Sequence, residues 1–589
     1  MKQKKLCAIF SISTQNGRFS DFLYYIISDL QKVFTTIIVV VPNNVSEYDC
    51  KKLKHEKCFI KENISGYDVD RWKNIISELN QNGQINELDG ITILNDSFYG
   101  PFETFEKVFS YMECKNLDFW GLTVHGKMPL EIFDKKGILH FIQTYFVNFG
   151  TKLIHSKKFI EFWEKLPEFN CYNDTQEKFE YIMTNFFEKL GYKWSVYSDT
   201  RDWESIDIEK YMSFLLLAPY DMVKIKRLPI ASRYAFKLPM EVIQNYNYGN
   251  QISDLIQYLI KIRYPINLIM KDLIFQQNIY ELNTKLNMNY ILIEKKFNIS
   301  MRKNNAAIFI YLYYKDQINE NIRYLKNIPR VMDVYFFTDT EEKKKKIEKF
   351  LHVYRIKCKT KVIIVCSRGR EWAALLIEGK QLVLKYKYFC FLHDKKGHSF
   401  EYPTVGSSFK TLLWENVIYS RGYINRVIEY FEKNNHIGLL VPPVIKHGTY
   451  FRFYNNFWTT CYDETITWAK RLKLETKYIS EVYTPISIGS VFWARSEALK
   501  DLFQYNFERK DFPEEPMPID GTVNHVFERI IPYVAQNQGF YTAIIMTKKF
   551  AEVDWNICSN MLRKTMSASQ KNKNLVFSSF EEYVRELTC

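Results

Sequence analysis

The sequence predicts an α/β protein of two tandem sheet units joined by a helical connector, and three observations carry that prediction. Runs of β-branched and aromatic residues alternate with stretches of helical spacing. The same succession of runs occurs twice, about 299 positions apart. A chain of 589 residues is also several times longer than one hydrophobic core usually organises, while 47% hydrophobic and 25% charged residues are ordinary values for globular domains.

The elements follow in order. Ala8 to Ile12 reads as a first strand, Phe19 to Val33 as a helix, and Thr36 to Val41 as a second strand ending at Pro42. A turn over Asn63 to Asp68 leads into a helical stretch and then the strand Ile91 to Leu94, which stops at Asn95-Asp96-Ser97. The second copy opens with Ala307 to Tyr311, continues through a helix-like Asn319 to Asn327, and reaches the strand Val334 to Phe337. Ser367 to Glu371 then leads into Trp372 to Leu384 and the strand Tyr388 to Leu392, which stops at His393-Asp394-Lys395-Lys396. Asp96 and Asp394 lie 298 positions apart, nearly the offset of the opening strands. Later landmarks keep their order as insertions shift them. Trp120-Gly121-Leu122 pairs with Ile437-Gly438-Leu439, and Phe141 to Trp163 with Ser487 to Phe503. Glu180, eleven before Gly191, pairs with Glu528, eleven before Gly539. The expected division is a first domain over 1–206, a mainly helical connector over 207–300, a second domain over 301–564 and a tail over 565–589. Glu341 to Lys349 reads as a solvated helix face.

Composition narrows the function classes. With 21 Gly and 17 Pro the chain is neither linker-rich nor collagen-like, and no run reaches the roughly 18 apolar residues a membrane span needs. Met1 to Lys5 followed by Leu6 to Ser13 lacks the length and cleavage pattern of a signal peptide and reads as the approach to the first strand. Eleven Cys without a CxxC pair fit neither a disulfide framework nor a zinc ribbon, which suits a reducing cytoplasm. The net charge of +14 is spread thinly and suits phosphate-bearing ligands or an anionic membrane face, with no nucleic-acid motif. A basic, aromatic stretch at Lys224 to Arg227 and Lys261 to Lys271 suggests peripheral attachment. Aromatic residues make up 16% of the chain, enough to stack on sugars or bases as well as fill cores.

In sheets of this class ligands bind beyond the carboxyl ends of strands, so Asp96 and Asp394 are the first residues to inspect. A strand-end carboxylate can hold an activated donor's diphosphate through a divalent cation, Mg2+ or Mn2+. Neither unit has the paired Asp-x-Asp spacing. Asn95, Asp96 and Ser97 offer one carboxylate with an amide and a hydroxyl; His393, Asp394, Lys395 and Lys396 offer one with two ammonium groups that could meet the diphosphate directly. Turn formation would use the same aspartates. The turns at Gly66 and Gly369 lack a GxGxxG loop, but either could carry Asn63, or Arg368 and Arg370, toward a base or phosphate. Inverting transfer needs a general base, for which Asp520 and Glu528 are candidates in the second unit and Asp174 and Glu180 in the first; helix capping is the competing role for Asp174 and Asp520. His525 shares a helix face with Asn524 and Glu528, without the HExxH pattern of a metal site.

Taken together, Leu94 to Phe102, Asp118 to Thr123 and His140 to Phe146 resemble the rhamnan synthesis protein F family. So do Phe391 to Lys396, Gly438 to Pro443, Gly489 to Arg495, and Asp520-Gly521-Thr522 with His525, Glu528 and Arg529. The resemblance implies two GT-A-like nucleotide-diphospho-sugar transferase domains in a bacterial glycosyltransferase. Such an enzyme would move rhamnose from dTDP-rhamnose to a lipid-linked glycan acceptor at the cytoplasmic face of the membrane, building cell-wall or lipopolysaccharide glycans. It also places Gly66, Asp68 and Gly369 in the donor sites. The first half is one residue longer than the family's Asn-x-Gly-Tyr-Asp, and the second has Ser367 and Glu371 where Asn and Asp are usual. The alternative reading is a glycan- or nucleotide-binding scaffold of an assembly complex, with one or both halves inactive.

Overall fold

The computed structural model describes residues 4–13, 18–42, 45–56, 58–62, 66–129, 138–203, 213–244, 247–294, 305–396, 403–444, 457–518 and 520–571. The chain forms two compact units, Met1–Asp272 and Leu273–Cys589.

The first unit contains β1 (Leu6–Ser11), β2 (Thr36–Val40), β3 (Phe59–Lys61), β4 (Gly90–Asn95), β5 (Phe98–Tyr99), β6 (Phe119–Pro129), β7 (Ile138–Ile142), β8 (Phe146–Gly150), β9 (Trp194–Ser198) and β10 (Ala231–Ser232). Every residue of β1 is buried, the pattern of a central parallel strand covered on both faces. The sheet runs β3-β2-β1-β4-β8-β6-β7, with β9 also on β6. Its first four strands are parallel, β8 is antiparallel to β4 and β6, and β9 is parallel to β6. One face packs on helix Asp68–Gln81, whose Val69, Trp72, Ile75, Ile76 and Leu79 fall at helical spacing onto Ile9, Ile38, Ile91 and Phe149. Each such side chain contributes about 1.5–3 kcal/mol by leaving water. Substituting a charge at Ile75 would open that layer.

The second unit contains β11 (Asn289–Leu292), β12 (Ala306–Tyr311), β13 (Asp333–Thr338), β14 (Lys359–Ile364), β15 (Tyr388–His393), β16 (Ile437–Val441), β17 (Phe492–Arg495) and β18 (Tyr541–Thr547). Its order is β11-β18-β16-β17-β15-β12-β13-β14. Removing the edge strand β11 leaves the first sheet's order again: β14-β13-β12-β15-β17-β16-β18 matches β3-β2-β1-β4-β8-β6-β9. The directions agree as well, with β17 antiparallel to both neighbours. Two tandem α/β units of the same strand order are therefore what the chain adopts. Register sharpens the repeat. Ser11 lies opposite Asn95 and Tyr311 opposite His393, so Asp96 and Asp394 are each the first residue beyond the equivalent strand.

The boundary between units falls inside the 207–300 stretch. Helix Gln251–Lys261 lies in the first unit, while helix Ile279–Lys285 and β11 lie in the second. Helix Glu341–Val353 buries only Ile347, as a solvated face requires.

Candidate functional site

Successive connections leave β1 in opposite directions, toward β2 and later toward β4, so a crevice opens beyond the carboxyl ends of β1 and β4. The same switch lies between β12 and β15. The strand-end residues of both units line these crevices.

In the first unit Asp96 is buried, and its two oxygens accept from Ser13 Oγ at 2.9 and 3.0 Å. Arg233 Nη1 donates to the same carboxylate at 3.2 Å and to the Asp96 main-chain oxygen at 2.9 Å. Burial pushes the Asp96 carboxyl up to about 6, with Asp68 adding to the rise and Arg233 and Ser13 opposing it. Asp68, at the start of its helix, accepts from Ser11 Oγ at 2.6 Å and Asn95 Nδ2 at 2.8 Å. The Asn95 side-chain oxygen in turn accepts from the Ser97 hydroxyl and amide, so Ser97 closes the turn. Gly66 (φ +94°) is held close to Asp70, whose carboxylate accepts the Tyr67 N–H. Asn63 lies outside the described residues.

Glu180 reaches the same crevice from the helix that precedes β9. Its carboxylate accepts the Thr144 N–H at 3.0 Å, and burial raises its pKa despite that bond. Tyr172 and Tyr234 expose their rings, while their hydroxyls are desolvated. Desolvation followed by the charges of Glu180 and Asp68 pushes Tyr172 up to about 12; desolvation followed by Asp96 raises Tyr234. Asp68 and Asp96 are thus neighbours with Tyr234 beside both, and Tyr172 lies near Glu180 and Asp68. Asp174 stands apart: within helix Tyr172–Thr175 it accepts the Asn170 N–H at 3.0 Å and pairs with Lys178 at 2.9 Å.

In the second unit Asp394 is buried and accepts the main-chain N–H groups of Tyr313 (3.1 and 2.9 Å) and Tyr314 (2.8 Å). Burial pushes it up to about 6 against those bonds. Glu528 stands where Glu180 does. It accepts from Ser490 Oγ at 3.2 Å, on the segment entering β17, as Glu180 bonds the segment entering β8. Ser490 is fixed by Trp372 Nε1 at 2.8 Å. The electrostatics are reversed, however. Burial would raise Glu528, but positive charge on Lys395, His525, Arg529 and His393 overrides it and holds the carboxyl down to about 2. Asp520 is half-buried, with His525 Nδ1 and Arg529 Nη2 each 4.0 Å from its Oδ1.

His393, Asp394, Lys395, Asp520 and Glu528 therefore converge, and three other expected donor residues are engaged elsewhere. Lys396 pairs with Asp316 at 2.9 Å. Arg368 pairs with Glu514 at 2.8 Å and donates Nε to Phe512 O, while Arg370 forms a fork with Glu515 at 2.6 and 2.8 Å. Gly369 (φ +77°) caps the helix N-terminus beneath this clamp.

The expectation of a divalent cation at Asp96 and Asp394 meets an unsuitable donor set. Asp96 faces a guanidinium, Asp394 faces two main-chain N–H groups, and among the described residues no three His, Cys, Asp or Glu side chains gather to hold a metal. Sequence reasoning missed Ser13, Arg233, Tyr234 and Asp272. Arg233 follows the two-residue β10, 137 positions from Asp96, in a stretch with no local pattern to mark it.

The chain matches the model of the family described as rhamnan synthesis protein F over residues 37–540. It is 24% identical over 159 residues to the uncharacterized protein y4gN of Sinorhizobium fredii; the match covers 26% of this chain and 39% of that relative's length. Solved structures that it resembles include S. aureus TarS 1-349 in complex with UDP (13% identity, 41% of this chain and 58% of that one, TM-score 0.23). Another is the glycosyltransferase GlyE of Streptococcus pneumoniae TIGR4 (10% identity, 65% and 84%, TM-score 0.23). Identities this low transfer no substrate.

Proposed function

The chain belongs to the rhamnan synthesis protein F family, and from that membership we propose that it is a glycosyltransferase of bacterial cell-surface polysaccharide synthesis, moving rhamnose from dTDP-rhamnose to a lipid-linked glycan acceptor. The supporting observation is the duplicated crevice, in which a strand-end aspartate shares each switch point with a glutamate from the helix before the last parallel strand. In an inverting transfer a base takes the acceptor hydroxyl proton as the sugar–diphosphate bond breaks on the opposite face. Glu180, whose pKa is raised, suits that role in the first unit better than the lysine-paired Asp174. In the second unit Asp520 suits it better than Glu528, whose charge balances the cations around it. Asp68, Asn95 and Asp96, and likewise His393, Asp394 and Lys395, frame the donor sites. We place the protein at the cytoplasmic face of the membrane as a peripheral component; among the described residues no helix is long and apolar enough to cross one.

A donor screen over dTDP-, UDP- and GDP-sugars, with product linkage determined, tests this reading. Asp96→Ala and Asp394→Ala should each remove one transfer step, and unchanged product from both variants would overturn the site. A second reading is favoured by the Arg233 contact on Asp96: the first unit only binds donor or glycan, in which case Asp394→Ala alone abolishes transfer.

A further inference from the structure

A departing diphosphate needs positive charge at the strand ends, and the donor sets at Asp96 and Asp394 do not suit a divalent cation. Side chains already hold that charge. In the first unit the backbone fixes Arg233 in place: β10 pairs with β5, and the Arg233 N–H donates to Ser97 O at 2.9 Å, directly beside Asp96. Its guanidinium is then shared between two acids, Nη1 on Asp96 and Nη2 on Asp272 Oδ2 at 3.3 Å. It lies 4.8 Å over the Phe22 ring and 5.7 Å from that of Tyr99. Tyr99 OH (2.6 Å) and Ser20 Oγ (2.5 Å) hold Asp272 in turn. Arg233 Nε is buried and makes no hydrogen bond to any described residue. A rigid, always-charged fork thus stands at the switch point beside Asp96.

The second unit reaches the same end differently. Among the described residues no arginine pairs with Asp394; the carboxylate instead fastens the loop after β12 through the Tyr313 and Tyr314 N–H groups. Lys395, the next residue, sets its Nζ 4.6 Å over the Phe409 ring with its charge felt at Glu528, and Arg529 stands 4.0 Å from both Glu528 and Asp520.

We propose that both crevices bind the donor diphosphate without a divalent cation, Arg233 supplying the fixed positive charge in the first unit and Lys395 with Arg529 supplying it in the second. In this arrangement Asp96 anchors Arg233, and Asp394 anchors the β12 loop. The inference rests on the donor-binding reading above.

Calorimetric titration of the full-length protein with dTDP, UDP and GDP, in EDTA and then in excess Mg2+ or Mn2+, separates the cases. The expected result is binding of at least one nucleoside diphosphate in EDTA, strengthened less than about twofold by the cation. Arg233→Met and Lys395→Met should each weaken one site about tenfold or more, as loss of a charge-assisted bond implies, and Arg233→Lys should recover part of it. Binding that needs the cation, falls tenfold or more in EDTA and is lost in Asp96→Asn or Asp394→Asn would overturn the inference while leaving the donor reading intact. Absence of binding under both conditions would overturn the donor reading and the inference with it. Should Arg233→Met fail to fold, as its thermal melt would reveal, the wild-type comparison in EDTA still decides.

Discussion

Glu528 is the residue whose environment does most to distinguish the second crevice from the first. Its folded pKa lies near 2, below the ordinary glutamate range, because Lys395, His525, Arg529 and His393 outweigh burial. The depressed value means that the carboxylate stabilises the fold at neutral pH, by on the order of 3 kcal/mol. That contribution is complete above the unfolded pKa of about 4.3 and disappears as pH falls through about 2. Glu528→Gln should therefore lower the denaturant midpoint at pH 7, since it also leaves buried cations unpaired, and the gap to wild type should narrow steadily from pH 4.5 to pH 2. A gap independent of pH would show that Glu528 acts by packing alone. The equivalent residue, Glu180, is shifted upward by burial against its bond from Thr144. Both glutamates, like Asp96 and Asp394, were legible because a repeated offset marks them in the sequence. The charges that set them apart were not. Arg233 and Asp272 reach the crevice only through folding of distant chain, and nothing near them in sequence signals Asp96.

At the scale of elements, the long strands announce themselves by run length and spacing: β1, β4, β12 and β15 fall within a residue or two of the expected bounds. Two-residue strands have no periodicity to read, which hid β5 and β10 and with them the seat of Arg233. The turn before helix Arg370–Ala373 also changed meaning. Arg368 and Arg370 clamp the 509–515 segment rather than reach freely into the crevice, and Gly369 makes the clamp fit. A Cβ on Gly369 would stand 2.5 Å from the Phe512 side chain and 2.7 Å from Ala373, on a backbone at φ +77°. Gly83 shares a left-handed backbone, φ +70°, but faces open space. Gly83→Ala should cost about 1 kcal/mol from backbone strain, and Gly369→Ala about 2–4 kcal/mol once the clash is added. Urea unfolding of the two variants checks the difference. Equal losses would mean that the 509–515 segment moves aside freely, and the clamp would then not be a fixed wall of the second crevice.

For the whole molecule, the net charge of +14 bears on where the protein works. Of the four lysines in the basic stretches that suggested membrane attachment, three have partners within the first unit. Lys224 donates to Tyr220 OH at 2.6 Å, Lys226 pairs with Asp202 and lies over the Trp203 ring, and Lys271 pairs with Asp21 at 3.2 Å. A dedicated lysine patch is therefore not the expected means of attachment; a diffuse excess of positive charge is. Such attraction acts through the summed field and weakens as the Debye length shrinks from about 10 Å at 0.1 M salt to about 3 Å at 1 M. The protein should co-sediment with phosphatidylserine-containing vesicles at low salt and not with purely zwitterionic ones, and it should be released as salt approaches 1 M. Lys224→Ala or Lys271→Ala alone should change the bound fraction little, because no single side chain carries the interaction. Release by one such substitution would restore the local-patch explanation, and failure to bind anionic vesicles at low salt would require a partner protein to bring the chain to a membrane.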